Sequence, residues 1–239
     1  FYTMINGVVY RSTGSWYDVK LEDGTLIKSR IKGKFRTKGL RTTNPLAVGD
    51  YVHLIKNDIG EYIVDEIQER KNYIIRKSVN LSKEAHIIAS NIDLAVLLVT
   101  ISNPATATGF IDRFTVTAEA YHIPLHIVFN KIDLYDDRDK KTLHEWESTY
   151  SKANYNNLCI SAKTGEGLNK LSALIADKTT LIAGNSGAGK STLINEIIPN
   201  LALKTGNIST THMTGKHTTT FAEMFDVNGN LVPDEIVAF

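Results

Sequence analysis

Cysteine is almost absent from this sequence of 239 residues, which contains only Cys159. A single thiol cannot form an internal disulfide, and no second cysteine or neighbouring histidine accompanies it to hold a metal ion. The pattern fits a reducing compartment, and we predict that Cys159 is a small apolar residue within a strand.

Long hydrophobic runs are also missing. No stretch of about 18 apolar residues, the length needed to span a membrane, occurs in the sequence. The first residues, FYTMINGVVYR, lack the basic, apolar and small-residue regions of a signal peptide. We therefore expect a cytoplasmic protein without a membrane partner, and we expect a monomer.

Acidic residues are absent between Asp23 and Asp50, although the formal net charge of the whole chain is only +1. Residues 1–80 carry 14 Lys and Arg against 9 Asp and Glu, whereas residues 81–239 carry 13 against 17. The acid-free stretch contains these cations: Lys28, Arg30, Lys32, Lys34, Arg36, Lys38 and Arg41. Such a pattern indicates either a surface that binds a polyanion or a solvated hairpin.

The hydrophobic pattern changes near residue 75. Before that point, short alternating segments such as GVVYR, WYDVKL and YVHLIK are separated by turn signals, which predicts a small β-barrel. After it, apolar runs such as LAVLLV and LHIVF alternate with helical patterns, which predicts an α/β domain with a mainly parallel sheet covered on both faces. We place the two domains at residues 1–75 and 76–239, with the boundary within 71–80.

A phosphate-binding loop lies late in the chain, where KTTLIA reads as a strand and STLINEII as a helix. The segment between them matches G-x-x-x-x-G-K-[ST] in full, so its backbone N–H groups would surround phosphate oxygens at a positive helix end. Lys190 would reach the terminal phosphates, and the Ser191 hydroxyl would bind Mg²⁺. The predicted phosphate contacts are Gly184, Asn185, Ser186, Gly187, Ala188, Gly189, Lys190, Ser191 and Thr192.

The identity of the base is indicated upstream by NKID, residues 130–133, directly after the apolar run LHIVF. A carboxylate at Asp133 accepts hydrogen bonds from the ring N–H and the exocyclic amine of guanine, a donor pair that adenine does not offer. Asn130 would tie this loop to the phosphate loop, and the stem of Lys131 would lie along the base.

A second short motif, SAK, follows the next predicted strand, NLCI. It consists of Ser161, Ala162 and Lys163, and the Ala162 N–H is in a position to donate to the guanine carbonyl oxygen. NKID alone is a weak signal because it also ends strands as a turn, but the three motifs together predict a GTP site.

The order of these motifs is unusual, because NKID and SAK precede GNSGAGKS and the candidate switch GKHTTT. In usual GTPases the phosphate loop comes first and the NKxD and SAK loops come last. The chain is therefore circularly permuted, which is tolerable where the termini of an α/β domain lie close together. A basic β-barrel before a permuted GTPase with GNSGAGKST and GKHTTT closely resembles the RsgA family, the bacterial GTPases of small-ribosomal-subunit biogenesis.

The resemblance implies an OB-fold N-terminal domain that meets ribosomal RNA. From the charge of the basic stretch, we predict Lys28, Arg30, Lys32, Lys34 and Arg36 as contacts with rRNA phosphates. The resemblance also implies late maturation of the small subunit, and a C-terminal zinc-binding domain that this sequence lacks, so Zn²⁺ is expected only in that domain.

Within GKHTTT, the resemblance places at His217 a histidine that assists hydrolysis, in the role of the water-positioning glutamine of other GTPases. The alternative is an ordinary exposed loop histidine. One of Thr218, Thr219 and Thr220 would add a hydroxyl to Mg²⁺, and Thr219 is our candidate.

The family's phosphate-sensing loop, Asp-Thr-Pro-Gly, is missing from the sequence. The string DVNG, residues 226–229, fits D-x-x-G only superficially, because a hairpin turn is expected there. LVPDEIVAF resembles the helical region that follows the phosphate-sensing loop in the family. With that loop missing, the resemblance therefore implies a helix there and a loss of residues near Asn230 and Leu231.

The sequence therefore predicts a Mg²⁺-dependent GTP hydrolase, stimulated by the ribosome, that couples its GTP or GDP state to release from the small subunit. One alternative is a non-catalytic RNA-binding assembly factor that uses GTP as a conformational ligand. A P-loop ATPase would require Asp133 to be a mere turn residue.

Overall fold

A computed structural model describes residues 4–13, 16–31, 45–77, 85–198, 201, 222–227 and 235–238. Five predicted site residues lie outside this part of the chain: Lys32, Lys34, Arg36, His217 and Thr219. Within it, no helix is long and apolar enough to cross a membrane.

The N-terminal part forms a closed five-stranded barrel, as predicted. Its strand order is β1-β2-β3-β5-β4, and pairing of β1 with β4 closes it. Alternate side chains point inwards, so Val9, Val19, Leu54 and Val64 are buried in a core of their own. The strands are β1 (Ile5–Ser12), β2 (Tyr17–Leu21), β3 (Leu26–Ile31), β4 (Tyr51–Lys56) and β5 (Tyr62–Ile67).

A short hairpin follows the barrel. Its strands, β6 (Tyr73–Lys77) and β7 (Ala85–Ser90), form a separate antiparallel sheet of two strands. The domain division predicted between residues 75 and 76 therefore falls inside β6.

The rest of the chain is the predicted α/β unit. Its strand order is β10-β9-β8-β11-β13-β12, in which only β12 runs antiparallel to its neighbour. All six residues of β8 are buried, as expected for a central strand covered on both faces. The elements are β8 (Leu94–Val99), α1 (Thr108–Ala120), β9 (Leu125–Phe129), a 3₁₀ turn (Ile132–Leu134), α2 (Asp137–Lys152), β10 (Asn156–Cys159), α3 (Leu168–Ile175), β11 (Thr179–Gly184), α4 (Lys190–Ile197), β12 (Glu223–Asp226) and β13 (Glu235–Ala238).

The helix predicted in LVPDEIVAF is wrong, because residues 235–238 form β13 between β11 and β12. A short apolar run cannot be assigned to helix or strand by periodicity alone. The parallel pairing with β11 satisfies backbone groups that would otherwise lie along an open sheet edge. The inferred loss of residues near Asn230 and Leu231 rested on that helix and on the missing sensing loop. It lies outside the described residues and stays a prediction.

Cys159 ends β10, in agreement with its predicted place in a strand. Its thiol donates to Glu147 Oε1 at 3.0 Å. Burial first, and the Glu147 carboxylate second, raise the pKa of Cys159 to about 12, so the thiol stays protonated and unreactive at neutral pH.

The barrel contacts the β6–β7 hairpin at a buried carboxylate. Asp50 is fully buried and accepts two hydrogen bonds from the Arg70 guanidinium, both at 2.6 Å, and one from Ser90 Oγ at 2.6 Å. Gly49 next to it has φ +88°, and a Cβ there would lie 2.3 Å from the Ser90 carbonyl oxygen. Glycine at this position therefore permits the close approach of the barrel to β7.

Candidate nucleotide site

The phosphate loop runs from the end of β11 to the start of α4 and is shaped by its glycines. Gly189 has φ +100°, and a Cβ at this residue would lie 2.5 Å from Asn130 Nδ2. The loop is closed by a hydrogen bond from the Ala188 N–H to the Asn185 carbonyl at 3.1 Å. Only glycine at position 189 allows both the backbone turn and the contact with Asn130.

Lys190 begins α4 and folds back over the loop. Its Nζ donates to the carbonyls of Gly184 at 2.6 Å and Asn185 at 3.1 Å. Burial lowers the pKa of Lys190, because the ammonium group loses hydration. Bound phosphate oxygens would favour the charged form and compensate for this loss.

Asn130 joins all three motifs, and its side chain is buried directly after β9. Its Nδ2 donates to the Ala188 carbonyl in the phosphate loop at 2.8 Å. Its Oδ1 accepts from the Ala162 N–H in SAK at 3.0 Å. The predicted tie between the base loop and the phosphate loop is therefore present.

Asp133 lies in the 3₁₀ turn with an exposed side chain. Its Oδ1 accepts a hydrogen bond of 2.6 Å from the hydroxyl of the buried Ser161. The same Ser161 oxygen accepts from the Thr164 N–H at 3.1 Å. Ser161 thus fixes the orientation of the carboxylate, a function that the sequence did not reveal.

The Ala162 N–H, for which we predict a hydrogen bond to the guanine carbonyl oxygen, donates to Asn130 Oδ1 in this structure. The amide oxygen of a buried asparagine must find a donor, and the Ala162 N–H is the one that the fold supplies. A guanine carbonyl would have to share this N–H or be bound by a different donor.

Lys131 has a left-handed backbone, with φ 67°, which turns its side chain across the site. Its Nζ donates to the Asn103 carbonyl at 2.6 Å, and its Cε would lie 3.9 Å from a Cβ on Gly189. Burial lowers the pKa of Lys131, and the Asp133 carboxylate acts in the opposite direction. The stem therefore spans the space between the base loop and the phosphate loop.

Tyr135 is a residue of the site that sequence reasoning missed. Its hydroxyl donates to the Asn130 carbonyl at 2.7 Å and accepts from the Ile101 N–H at 2.9 Å. Burial is the largest cause that raises the pKa of Tyr135 to about 12. A tyrosine two residues after NKID carries no motif signal, so only the fold could identify this support.

The remaining predicted residues divide between the two parts of the molecule. Ser191 and Thr192 lie in the first turn of α4, and Lys163 is exposed beside Ala162. Lys28 and Arg30 point outwards from the barrel strand β3. Among the residues that the structure describes, no group of three or more His, Cys, Asp or Glu is arranged to hold a metal ion.

The structure supports the prediction that DVNG is not the phosphate-sensing loop. Asp226 ends β12 opposite Glu235, which begins β13. Since β13 is parallel to β11, this is the edge of the sheet remote from the phosphate loop. Asp226 instead accepts hydrogen bonds from Tyr10 Oη and Lys20 Nζ, both at 2.7 Å.

Comparison with known families agrees with this arrangement. A profile of the RsgA GTPase family matches residues 67–235, and one of the RsgA N-terminal domain matches residues 6–64. A Bacteroides fragilis protein named small ribosomal subunit biogenesis GTPase RsgA is 50% identical over 226 residues, or 95% of this chain and 73% of that protein. The protein of the same name from Christiangramia forsetii is 52% identical over 229 residues, again 95% of this chain and 73% of its own.

Two solved structures share the fold. The crystal structure of YjeQ from Thermotoga maritima has a TM-score of 0.72 and 31% identity, with 98% of this chain and 74% of that chain covered. The structure of YloQ, described as a circularly permuted GTPase, has a TM-score of 0.63 and 26% identity, with 98% and 70% covered. This chain therefore belongs to the RsgA family of GTPases and is a circularly permuted GTPase.

Proposed function

We propose that this chain hydrolyses GTP as an assembly factor in the biogenesis of the small ribosomal subunit. The observation that carries the proposal is the side chain of Asn130, which hydrogen-bonds the phosphate loop on one side and SAK on the other. A guanine-selecting carboxylate and a phosphate loop are thereby held at one edge of the sheet. The names of the relatives supply the ribosomal context.

Guanine would be selected by Asp133, whose carboxylate is oriented by Ser161. Leaving this carboxylate without donors, as adenine would, costs about 1–3 kcal/mol for each hydrogen bond that is not made. For a single hydrogen bond, that penalty corresponds to roughly a fivefold to hundredfold discrimination against ATP, and it disfavours the P-loop ATPase. Lys131 would cover the base, while Ala162 and Lys163 would lie beside it.

The triphosphate would be held by residues 184–192, with the Lys190 ammonium on the terminal phosphates. GTPases in general bind their nucleotide together with Mg²⁺, which neutralises the charge that develops on the phosphates. The Ser191 hydroxyl, in the first turn of α4, is an oxygen ligand of the kind that Mg²⁺ prefers. We assign Thr219 as the second hydroxyl ligand and His217 as the residue that assists the attacking water.

The barrel would bind ribosomal RNA through its basic stretch. On β3, Lys28 and Arg30 are exposed, and the Arg30 guanidinium lies 3.9 Å from the centre of the Trp16 ring. A cation stacked on an aromatic ring offers both charge for phosphates and a surface on which bases stack. Lys32, Lys34 and Arg36 would add to this basic stretch. The barrel would then be the RNA-binding domain, and the chain after the boundary at residues 71–80 would be the GTPase domain.

We further propose that the protein acts late in maturation as a cytoplasmic monomer, with GTP hydrolysis driving its release. The zinc-binding domain of the family would follow in the full-length protein and would carry Zn²⁺.

Turnover of the full-length protein with and without small ribosomal subunits tests the proposed function. We expect slow GTP hydrolysis by the free protein and strong stimulation by the subunits. GTP binding without turnover in either condition would instead favour an assembly factor that uses GTP only as a conformational ligand.

A further inference from the structure

The hairpin formed by β12 and β13 connects the barrel to the nucleotide site. β12 begins three residues after Thr220, the last residue of the switch sequence GKHTTT. β13 pairs in parallel with β11, and its last residue, Ala238, lies beside Ile182, two residues before the phosphate loop. A shift of this hairpin would therefore move the chain that leaves the switch and the strand next to the phosphate loop.

The barrel holds this hairpin at Asp226. The Asp226 carboxylate receives hydrogen bonds from Lys20 Nζ and Tyr10 Oη, both at 2.7 Å. Lys20 Nζ also lies 3.4 Å from Tyr10 Oη and 5.3 Å from the centre of the Tyr10 ring. With 17% and 33% of their side-chain surfaces exposed, Lys20 and Asp226 are partly shielded from water, which strengthens the ion pair.

A second contact in the same interface is weaker. Arg11 of β1 pairs with Glu223 of β12, and their side chains approach at 3.8 Å with 50% and 41% exposure. Such exposed ion pairs contribute little. This pair is therefore a suitable control, because it also joins the barrel to β12 but through more exposed charges.

We propose that the cluster of Tyr10, Lys20 and Asp226 positions the β12–β13 hairpin and transmits the binding of a partner at the barrel to GTP hydrolysis. The proposal rests on the proposed function insofar as the partner is the small ribosomal subunit. The three residues meet at Asp226, at the end of the sheet remote from the phosphate loop, so they act as positioning residues and not as catalytic ones. A partner bound at the barrel can affect hydrolysis through the hairpin only if it changes the contacts between the barrel and the hairpin, and in this proposal the contacts that change are those of Asp226 with Lys20 and Tyr10.

Variants of the full-length protein test the cluster. Asp226→Asn and Lys20→Met should each reduce subunit-stimulated hydrolysis at least about fivefold, the lower end of usual coupling between sites. GTP affinity, subunit affinity and hydrolysis by the free protein should be unchanged. The exchange Lys20→Glu with Asp226→Lys should recover most of the stimulation, because it restores opposite charges across the interface.

Two controls separate positioning from simple loss of charge or stability. Arg11→Gln breaks the exposed pair with Glu223. Lys56→Met removes a cation of the barrel strand β4 that lies over the ring of Tyr62 in β5, as Lys20 lies over the ring of Tyr10. Both should keep full stimulation. Full stimulation in Asp226→Asn, or a charge exchange that remains as impaired as Asp226→Asn at an unchanged melting temperature, would overturn the proposal.

Hydrogen exchange tests the coupling without ribosomes. In the free wild-type protein, backbone amides of β1 and β2 should exchange at different rates with a non-hydrolysable GTP analogue and with GDP, and Asp226→Asn should abolish this difference. If the wild-type barrel shows no difference between the nucleotides, the coupling is refuted. If the difference is present but subunits do not stimulate hydrolysis, the proposed function fails while the coupling stands.

Discussion

At the scale of single residues, Asn130 does the most to assemble the site. Its buried amide satisfies the Ala188 carbonyl on one side and the Ala162 N–H on the other. Each of these backbone groups would cost about 1–3 kcal/mol if it were left buried without a partner. The spacing between base loop and phosphate loop is therefore held by one side chain, which explains why Gly189 has no room for a Cβ beside it.

Asp133 is the residue on which base specificity depends. In Asp133→Asn, the amide oxygen keeps the hydrogen bond from Ser161, and the new amide NH2 group turns towards the base. This NH2 group can donate a hydrogen bond to the ring carbonyl of xanthine, but it faces another donor, the exocyclic amine, in guanine. We expect GTP affinity to fall roughly tenfold to hundredfold and xanthosine triphosphate affinity to rise, as measured by titration with fluorescent nucleotides.

Asp137→Asn is the matched control, because it removes a fully exposed carboxylate four residues further along the chain. Its affinity for both nucleotides should equal that of the wild-type protein. If Asp133→Asn behaved like this control, guanine would not be recognised at NKID.

At the scale of elements, the sequence predicted what short-range patterns determine. The barrel strands, the alternating α/β elements and the loop between β11 and α4 follow from periodicity and from spacings that phosphate binding imposes. β13 was not predictable, because residues 235–238 form a strand only by pairing with the edge of β11, which lies far away in the sequence. The pair of Lys20 and Asp226 joins residues far apart in the chain, so no local pattern indicates it.

The basic stretch after β2 is the element that we expect to bind ribosomal RNA. Replacing Arg30, Lys32 and Lys34 together by Gln should weaken binding to the small subunit. The slope of log affinity against log salt should become shallower by about 0.7–0.9 for each phosphate contact that is lost, because fewer counterions are released. Binding measured at several salt concentrations provides both quantities.

The same number of cations can be removed elsewhere as a control. Lys140, Lys141 and Lys152 lie on the exposed surface of α2, so their replacement by Gln changes the net charge equally. An unchanged salt slope in the barrel variant, or an equal change in the α2 variant, would favour a hairpin that is merely solvated.

At the scale of the whole molecule, the barrel and the GTPase sheet are continuous. The pairing of β1 with β12 joins them in one sheet of eleven strands, and the buried contact of Asp50 with Arg70 and Ser90 fastens the barrel to the β6–β7 hairpin that lies between them in the sequence. Circular permutation puts the switch sequence directly before β12, the strand that adjoins the barrel. A partner bound at the barrel therefore has a short physical path to the residues that we assign to hydrolysis.

His217 is where this path would reach the chemistry, because a histidine is well suited to transfer or orient a proton near neutral pH. In the full-length protein, His217→Ala should bind GTP normally and hydrolyse it slowly when free. It should lose most of the stimulation by small subunits, on the order of a hundredfold, since one positioned acid–base group commonly contributes that much.

His144→Ala, which alters an exposed histidine on α2, is the control and should be stimulated fully. Single-turnover rates with and without subunits measure the effect. Equal stimulation of His217→Ala and the wild-type protein would show that hydrolysis does not use this histidine.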